Sequence, residues 1–394
     1  MKLINVAAAA LNQTPLDWAG NRDRIVSAIE RARDADVRML CLPELCITGY
    51  GCEDAFHSPD VARRAGGVLD EIVGQTDGMI VSVGLPVMHQ GALYNTSCLL
   101  VDGRVAGFVA KRNLAGDGVH YEPRWFKAWP DGERSTIEVG GRRVPFGDVF
   151  FDCDGVRIGF EICEDAWVAD RPGRQHARRG VDVILNPSAS HFAFDKQAIR
   201  KRFVVDGSRA FGVSYIYANL LGNESGRIIF DGGTLVASGG QLVAEGPRFS
   251  YRDVRVVTSQ IDVEKTRMNR AKMASFEPSP SAAECFGAEV DFTFPQVEPA
   301  ELDGREPSWM KGPHSKEEEF SRAVTLGLFD YLRKSYSQGF VISLSGGADS
   351  SASAALVALM VEMACAELGR EGFVDKLSHI DGLADCEGRP ELVE

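Results

Sequence analysis

A strand signal that ends in a cysteine lies near the middle of this chain. The apolar run at residues 156–162 follows Asp154-Gly155, and Asp-Gly between two β-rich segments is typical of a hairpin turn. The run therefore predicts a strand, which delivers Cys163 to its C-terminal end. A side chain in that place faces a cleft, so Cys163 is a candidate nucleophile. The alternative is a small buried thiol, the usual fate of a free cysteine.

The composition predicts a soluble protein with room for more than one core. The chain has 394 residues, 44% hydrophobic and 25% charged, with a net charge of -13. Negative charge repels phosphate backbones and anionic lipid, so no nucleic acid or membrane partner is expected. The nine cysteines form no Cys-x-x-Cys pair, and neither a long apolar run nor a secretion signal is present. These features favour the reducing cytoplasm, without disulfides or structural zinc.

Strands alternate with helices and then with hairpins over the first two thirds of the chain. Asn21 is the expected N-cap of the first helix, whose residues Ile25 and Ile29 share one face. Strands are predicted at 4–11, 37–42, 79–87, 94–101, 104–110, 181–186, 213–219, 228–230, 234–237, 242–244 and 254–262, and helices at 60–73, 171–180 and 194–212. This mixture predicts a layered α/β architecture with parallel and antiparallel pairing.

Two more reactive side chains stand at predicted strand ends. Glu44 follows the strand at 37–42 and Lys111 follows the strand at 104–110. Taken singly, Glu44 suits a surface salt bridge and Lys111 suits a solvated position. Together with Cys163 they suit acyl transfer from an amide, because a carboxylate can take the thiol proton and an ammonium can hold the developing negative charge. The backbone N–H of Glu164 is a second expected oxyanion donor. A cysteine–histidine protease is the competing class, but no histidine occupies an equivalent strand end.

A glycine loop follows a predicted proline-rich linker at residues 271–314. Helical spacing resumes at 315–332, a short strand is predicted at 340–344, and an alanine-rich helix at about 352–368. A glycine loop between a strand and a helix can cradle phosphate, although this loop lacks the Gly-Lys-Thr ending of Walker A. A serine-capped turn is the alternative. The loop consists of Ser345, Gly346, Gly347, Ala348, Asp349 and Ser350.

The motifs around the three strand-end residues resemble the nitrilase (carbon–nitrogen hydrolase) superfamily over roughly residues 1–265. The resemblance rests on Pro43-Glu44-Leu45, Tyr50-Gly51, Lys111 and the run 161–167. It implies a four-layer αββα sandwich in which Glu44 is the base, Lys111 stabilises the tetrahedral intermediate and Cys163 is the nucleophile. It also implies that Glu122 is an additional active-site acid, which positions the lysine and the substrate.

The loop at residues 345–350 looks like the pyrophosphate loop of ATP-pyrophosphatase-type ligases. A nitrilase domain joined to this loop is similar to the glutamine-dependent NAD synthetase family. That resemblance implies that ammonia from glutamine amidates nicotinic acid adenine dinucleotide (NaAD), with ATP and magnesium as co-substrates. It assigns ATP to Ser345, Gly346, Gly347, Asp349 and Ser350. Asp349 is the candidate magnesium contact, and no other metal site is expected.

The same resemblance assigns two residues to the glutamine substrate. Ser190 would face its α-amino group and Lys196 its α-carboxylate, although Lys196 also suits an exposed helix position. No cofactor is expected for the glutaminase half, and a homo-oligomer is expected.

The chain is thus expected to have three parts. Residues 1–270 form the hydrolase domain, 271–314 the linker and 315–394 the beginning of a doubly wound α/β nucleotide-binding domain. Because few residues follow the loop, we expect a truncated ligase half that forms no NAD from ammonia. A stand-alone amidase acting on another small amide and a nucleotide-binding module without ligase activity are the alternatives.

Overall fold

The fold consists of seventeen strands and nine α-helices within residues 1–300 and 308–386, which are the residues that the computed structural model describes. Residues 301–307 of the predicted linker and residues 387–394 of the predicted C-terminal part lie outside the described residues. The strands are β1 Leu3–Leu11, β2 Met39–Cys41, β3 Ile80–His89, β4 Ala92–Val101, β5 Arg104–Ala110, β6 Arg134–Val139, β7 Arg142–Gly147, β8 Phe150–Cys153, β9 Val156–Phe160, β10 Val183–Ser188, β11 Ser214–Asn219, β12 Leu221–Asn223, β13 Ile229–Asp231, β14 Thr234–Ser238, β15 Gln241–Glu245, β16 Val254–Asp262 and β17 Gly287–Val290. The α-helices are α1 Trp18–Asp34, α2 Pro59–Val73, α3 Glu122–Trp125, α4 Pro172–Arg178, α5 Lys196–Phe211, α6 Val263–Ala271, α7 Pro280–Phe286, α8 Ser315–Ser335 and α9 Ala348–Lys376. Short 3₁₀ helices cover Glu53–His57, Cys163–Ala166, Ser308–Lys311 and Leu383–Asp385.

Two sheets pack face to face and helices cover their outer faces. The first sheet has the order β16-β1-β2-β3-β4-β5-β7-β6 and the second β15-β14-β11-β10-β9-β8-β17. Val6 and Val101 of the first sheet meet Phe151, Ile158 and Ile216 of the second in a fully buried layer. Helices α1 and α2 bury their apolar stripes on the first sheet, and α5 on the second. The predicted αββα sandwich is confirmed.

Strand direction brings several loops to one end of the sandwich. Strands β9, β10 and β11 are parallel neighbours, so the residues after each of them meet at the same edge. The hairpin turn before β9 is confirmed: Asp154 and Gly155 have φ values of 53° and 72°, as a type I′ turn requires. That turn pairs Cys153 with Val156 and fixes the register in which β9 runs towards Cys163.

Helix α1 begins earlier than predicted. The cap is Asp17, whose carboxylate accepts a hydrogen bond from the backbone N–H of Gly20 at 3.0 Å. Asn21, the predicted cap, lies inside the helix and is fully buried. Its side chain binds both backbone groups of Thr14 and the carbonyl of Ile47. Asn21 therefore satisfies loop groups that would otherwise be buried without partners.

Regular structure continues into the predicted linker. Helix α7 and strand β17 lie within it, and β17 pairs in parallel with β8, from Gly287 opposite Phe150 to Val290 opposite Cys153. The proline-rich composition of residues 271–314 therefore does not prevent regular structure there. Pro280 is the first residue of α7, a position where its missing N–H breaks no helical hydrogen bond.

Helices α8 and α9 pack on each other and on the sandwich. Ala323, Leu326, Phe329 and Leu332 of α8 are buried, whereas Phe320 is 45% exposed. Helix α9 carries a kink at Gly369, and it is the one helix in the described part of the chain that is long and apolar enough to cross a membrane. Core helices of soluble proteins meet the same criterion, so this finding alone does not indicate a membrane span.

The strand predicted at residues 340–344 is irregular in the structure. Val341 and Leu344 are exposed, Val341 fully so, whereas Phe340 is half-buried against the core around α8 and α9. A strand requires a hydrogen-bonded neighbour, and none of the described strands lies beside this segment. Apolar composition by itself therefore does not produce a strand here.

Candidate active site

Cys163 occupies a strained turn at the C-terminal end of β9. It is the first residue of a 3₁₀ helix, and its φ of 46° lies in the left-handed region, which costs a non-glycine residue about 1–3 kcal/mol. The buried carboxylate of Asp165 holds the turn by accepting hydrogen bonds from the backbone N–H groups of Ile162 at 3.0 Å and Asn113 at 2.8 Å. The same carboxylate thus connects the Cys163 turn to the segment that carries Lys111.

Lys111 lies between two carboxylates. Its ammonium Nζ is 2.6 Å from Oε1 of Glu44 and 2.7 Å from Oε1 of Glu122, and all three side chains are fully buried. Glu44 also accepts hydrogen bonds from Nδ2 of Asn95 at 2.7 Å and from the backbone N–H of Ala189 at 2.9 Å. The structure therefore brings Glu44, Lys111 and Glu122 together, from three separate stretches of chain.

The electrostatic field of this cluster acts on the thiol. Burial and the nearby Glu44 carboxylate raise the pKa of Cys163 far above its usual value, and Lys111 only partly opposes them. Burial alone would lower the pKa of Lys111, but Glu122 and Glu44 reverse this and raise it well above normal. Burial raises the pKa of Glu122, and Lys111 opposes this rise without reversing it. The lysine is consequently charged, while the free thiol is protonated and needs a base.

Two residues that sequence reasoning assigned no role complete the surroundings of Glu122. The hydroxyl of Tyr50 donates to Oε1 of Glu122 at 2.8 Å and lies 2.9 Å from Nδ1 of His120. Nε2 of His120 is in turn 2.8 Å from Nδ1 of His191. Burial lowers the pKa of His120 to about 3 and that of His191 to about 4, so both rings are neutral near pH 7. Tyr50 had one sequence signal, its place between two glycines just after Glu44.

The two residues expected to bind glutamine occupy different environments. Lys196, the first residue of α5, has its Nζ 3.0 Å from His191 and 5.2 Å from the ring centre of Trp167. Burial and the neighbouring Arg200 lower the pKa of Lys196 to about 8. Ser190 is buried, and its hydroxyl accepts a hydrogen bond from Arg200 at 3.1 Å.

Nothing in the sequence indicated the buried ion pair between Arg200 and Asp231, which lies beside Ser190. Their side chains are 2.5 Å apart and almost fully buried. Arg200 also donates to the backbone carbonyls of Ser190 and His191, at 2.9 and 2.8 Å. It therefore fixes the loop that follows β10.

The glycine loop forms the start of α9. Gly347 is the N-cap residue, Gly346 has a φ of 80°, and the loop is exposed. The hydroxyl of Ser345 is 3.3 Å from that of Ser350 and accepts a long hydrogen bond from the backbone of Gly347. Glycines and a helix N-terminus suit a phosphate group. Within the described ranges, no group of three His, Cys, Asp or Glu side chains could hold a metal ion.

The fold and the cluster agree with a match to a known family model. The model described as carbon-nitrogen hydrolase matches residues 5–271, which include Glu44, Lys111, Glu122 and Cys163. The chain belongs to the carbon-nitrogen hydrolase family. The matched region also includes both sheets except β17 and ends at the last residue of α6.

Some relatives match this chain beyond the carbon-nitrogen hydrolase domain, and they are longer than the chain. The glutamine-dependent NAD(+) synthetase of Saccharomyces cerevisiae is 34% identical over 409 residues, which cover 97% of this chain and 56% of the yeast protein. The human protein of the same name is 35% identical, with 96% and 55% covered. A crystal structure of the glutamine-dependent NAD(+) synthetase of Cytophaga hutchinsonii has a TM-score of 0.79 and 42% identity, with 99% and 58% covered. The chain thus spans somewhat more than half the length of these relatives.

Shorter carbon-nitrogen hydrolases share the fold alone. A crystal structure of an amidase from Nesterenkonia sp. has a TM-score of 0.53 and 22% identity, and the match covers 68% of this chain and 94% of the amidase. Helices α8 and α9 have counterparts in the longer relatives, since the Cytophaga match covers almost the whole chain.

Proposed function

We propose that this chain carries the glutaminase of a glutamine-dependent NAD(+) synthetase, with Cys163 as the nucleophile. The observation that carries the proposal is the buried Lys111 between Glu44 and Glu122, whose charges all act on Cys163. The similarity to synthetases that use glutamine, over nearly the whole chain, supports glutamine as the amide. Such a cluster has no use in a protein that only binds nucleotides.

The first half of the reaction makes a thioester. Glu44 takes the proton from Sγ of Cys163, and the thiolate attacks the carboxamide carbon of the glutamine side chain. The ammonium of Lys111 and the backbone N–H of Glu164, in the first turn of the 3₁₀ helix, hold the oxyanion. Glu44 then gives the proton to the leaving nitrogen, the carbon–nitrogen bond breaks and ammonia departs.

The second half regenerates the thiol. Glu44 takes a proton from water, and the resulting hydroxide attacks the thioester carbon. The carbon–sulfur bond breaks, glutamate forms, and the proton on Glu44 returns to Sγ. Because Glu122 shares Lys111 with Glu44, the lysine keeps its charge while Glu44 is protonated. Glu122 thus maintains a cation beside the reacting carbon through both halves.

Glutamine recognition is assigned to the loop after β10 and the start of α5. Lys196 would bind the α-carboxylate, and its place near His191 and Trp167 supports this role. Ser190 would face the α-amino group, as the resemblance implies. Both assignments follow the resemblance.

The ammonia would serve a ligase reaction at the glycine loop. Ser345, Gly346, Gly347, Asp349 and Ser350 would hold ATP pyrophosphate, and Asp349 would contact the magnesium that supplies positive charge to the nucleotide. The ammonia would amidate NaAD that ATP has adenylated. A structure of the Acinetobacter baumannii synthetase in complex with adenosine diphosphate shows that such a relative binds an adenine nucleotide. We propose a cytoplasmic homo-oligomer, with no cofactor in the glutaminase half.

Ammonia release tests the proposal. Glutamine, asparagine and propionamide are each incubated with the wild type and with Cys163→Ala, and ammonia is measured. We expect release from glutamine to exceed release from the other two amides at least tenfold and to vanish in Cys163→Ala. Preference for propionamide would instead favour a stand-alone amidase. Full activity of Cys163→Ala would remove this residue from the mechanism.

A further inference from the structure

Helix α8 holds the segment behind the active site with two buried charges. Asp330, fully buried, accepts hydrogen bonds from the backbone N–H of Asn223 and from Nδ2 of Asn12, each at 2.9 Å. Lys334, whose side chain is 3% exposed, donates to the backbone carbonyl of Asn223 at 2.7 Å and to Oδ1 of Asn12 at 2.5 Å. Both backbone groups of Asn223 therefore bind the same helix, so α8 sets the position of this residue.

The next residue, Glu224, carries the connection to the loop after Glu44. Its Oε1 accepts a hydrogen bond from the backbone N–H of Tyr50 at 2.8 Å, and its Oε2 accepts one from Gly51 at 2.7 Å. A Cβ atom on Gly49 or Gly51 would lie 2.9 or 2.8 Å from these oxygens, closer than real Cβ contacts. The glycines therefore permit the carboxylate to approach the backbone, and Glu224 determines where Tyr50 lies.

Tyr50 completes the path to the reacting groups. Its hydroxyl donates to Glu122 at 2.8 Å, and Glu122 binds Lys111 at 2.7 Å. We propose that Glu224, held by Asp330 and Lys334 of α8, is a positioning residue that aligns Tyr50 on the Glu122–Lys111 pair. This inference rests on the proposed function, and it makes α8 part of the glutaminase active site rather than of the nucleotide-binding part alone.

A second contact on the same interface provides a matched control. The carboxylate of Glu367 on α9 accepts hydrogen bonds from the hydroxyl of Ser250 at 2.6 Å and from the backbone N–H of Tyr251 at 3.0 Å. It resembles Glu224 in chemistry, since each is a carboxylate that binds backbone N–H groups. It does not contact Tyr50 or Glu122. Glu367→Gln therefore reports the effect of weakening the interface without disturbing the path to Lys111.

The test is a double-mutant cycle on the full chain with Glu224→Gln, Tyr50→Phe and the combined variant. Glutaminase kcat and KM are measured, together with the rate at which iodoacetamide alkylates Cys163, quantified by mass spectrometry. Loss of a hydrogen bond to a charged group corresponds to about a tenfold to hundredfold effect. We expect Glu224→Gln to lower kcat about tenfold with little change in KM, and to change the alkylation rate of Cys163. Lys334→Met should act in the same direction, whereas Glu367→Gln should match the wild type.

The cycle separates positioning from general stability. If Glu224 acts through Tyr50, then adding Glu224→Gln to the Tyr50→Phe variant changes both kcat and the alkylation rate by less than twofold. Equal factors in both backgrounds, or no effect of Glu224→Gln in either readout, would overturn the inference. If Glu224→Gln does not fold, Glu224→Asp replaces it in the same cycle, with the same two outcomes. If the wild type releases no ammonia from glutamine, the proposed function fails, but the alkylation cycle still decides the positioning role.

Discussion

Replacing Glu122 by glutamine removes one of the two negative charges that surround Lys111 while keeping the shape of the side chain. The carboxylate lies 2.7 Å from Nζ of Lys111, and both groups are fully buried. Of the two carboxylates that contact Lys111, Glu44 alone would then remain, and protonating Glu44 during catalysis would leave a buried ammonium without a charged partner in contact. Glu122→Gln should therefore raise the energy of each step in which Glu44 carries a proton.

The size of the effect can be bounded. Two unit charges 2.7 Å apart attract by about 6 kcal/mol at an effective dielectric constant of 20, which is an upper limit because the glutamine oxygen still accepts a hydrogen bond from Lys111. Breaking a charge-assisted bond costs about 1.5–3 kcal/mol. At 1.36 kcal/mol for each factor of ten, a cost of about 3 kcal/mol corresponds to a roughly 150-fold lower kcat.

The assay is steady-state ammonia release from glutamine at pH 7.5, with kcat and KM determined separately. The exposed Glu138 on β6 provides a control of the same chemistry, and Glu138→Gln should retain wild-type kcat. Thermal unfolding of both variants checks that the fold is intact. A folded Glu122→Gln variant with kcat within threefold of the wild type would refute the argument that this carboxylate sustains the charge on Lys111.

Lys196, Asp330 and Gly346 lead to further predictions. Because burial lowers the pKa of Lys196 to about 8, KM for glutamine should rise as pH increases through 8. Lys196→Met should raise KM tenfold or more at pH 7 and remove that pH dependence. A parallel rise of KM with pH in the mutant would contradict the role of Lys196 in binding the α-carboxylate. Asp330→Ala leaves Lys334 and Arg333 as buried cations, so the free energy of unfolding in urea should fall by about 3–5 kcal/mol, whereas the exposed Asp206→Ala should change it by less than about 0.5 kcal/mol. Burial opposes ionisation of Asp330, but Arg333 and Lys334 outweigh it and lower the pKa of this carboxyl. The contribution of Asp330 to the free energy of unfolding is therefore present above the unfolded pKa of about 4 and is lost as pH falls towards the folded pKa. Equal loss of stability in Asp330→Ala and wild type between pH 5 and pH 3 would contradict this. Gly346→Val places a β-branched residue at a φ of 80° and should weaken ATP binding about tenfold by calorimetry, with glutaminase kcat unchanged as the control; unchanged ATP affinity would argue against phosphate binding there.

The parts of this molecule that follow from sequence are those in which local chemistry has a local consequence. Asp154-Gly155 dictates a tight turn, and the run after it alternates little because β9 lies inside the sandwich. Glu44 follows β2 of the first sheet and Cys163 follows β9 of the second, so their meeting depends on the two sheets packing face to face. The tendency of strand ends in layered α/β folds to gather in one crevice predicts this without any knowledge of side-chain contacts. The layered α/β architecture and the meeting of Glu44 with Lys111 were accessible in this way, whereas the αββα sandwich and Glu122 followed only from the resemblance to the nitrilase superfamily.

The features that escaped prediction depend on partners far along the chain. Glu224 has no neighbour in sequence that indicates its contact with Tyr50, which lies 174 positions away. The same holds for Asp330 and Asn12, separated by 318 positions. The segment at 340–344 has the composition of a strand, but it forms none because no described strand pairs with it. Asn21 was misassigned because the sequence cannot reveal that its amide serves a buried loop.

Strand β17 also bears on solubility. Without it, the backbone groups on one side of β8 would form an open sheet edge, a template on which strands of other molecules can pair. β17 is only four residues long and bears the exposed Glu289, so it ends the sheet with a short, charged strand that is a poor template. Residues between the two parts of the chain thus act as a barrier to edge-to-edge aggregation, and a variant lacking α7 and β17 should self-associate even though its catalytic cluster is untouched.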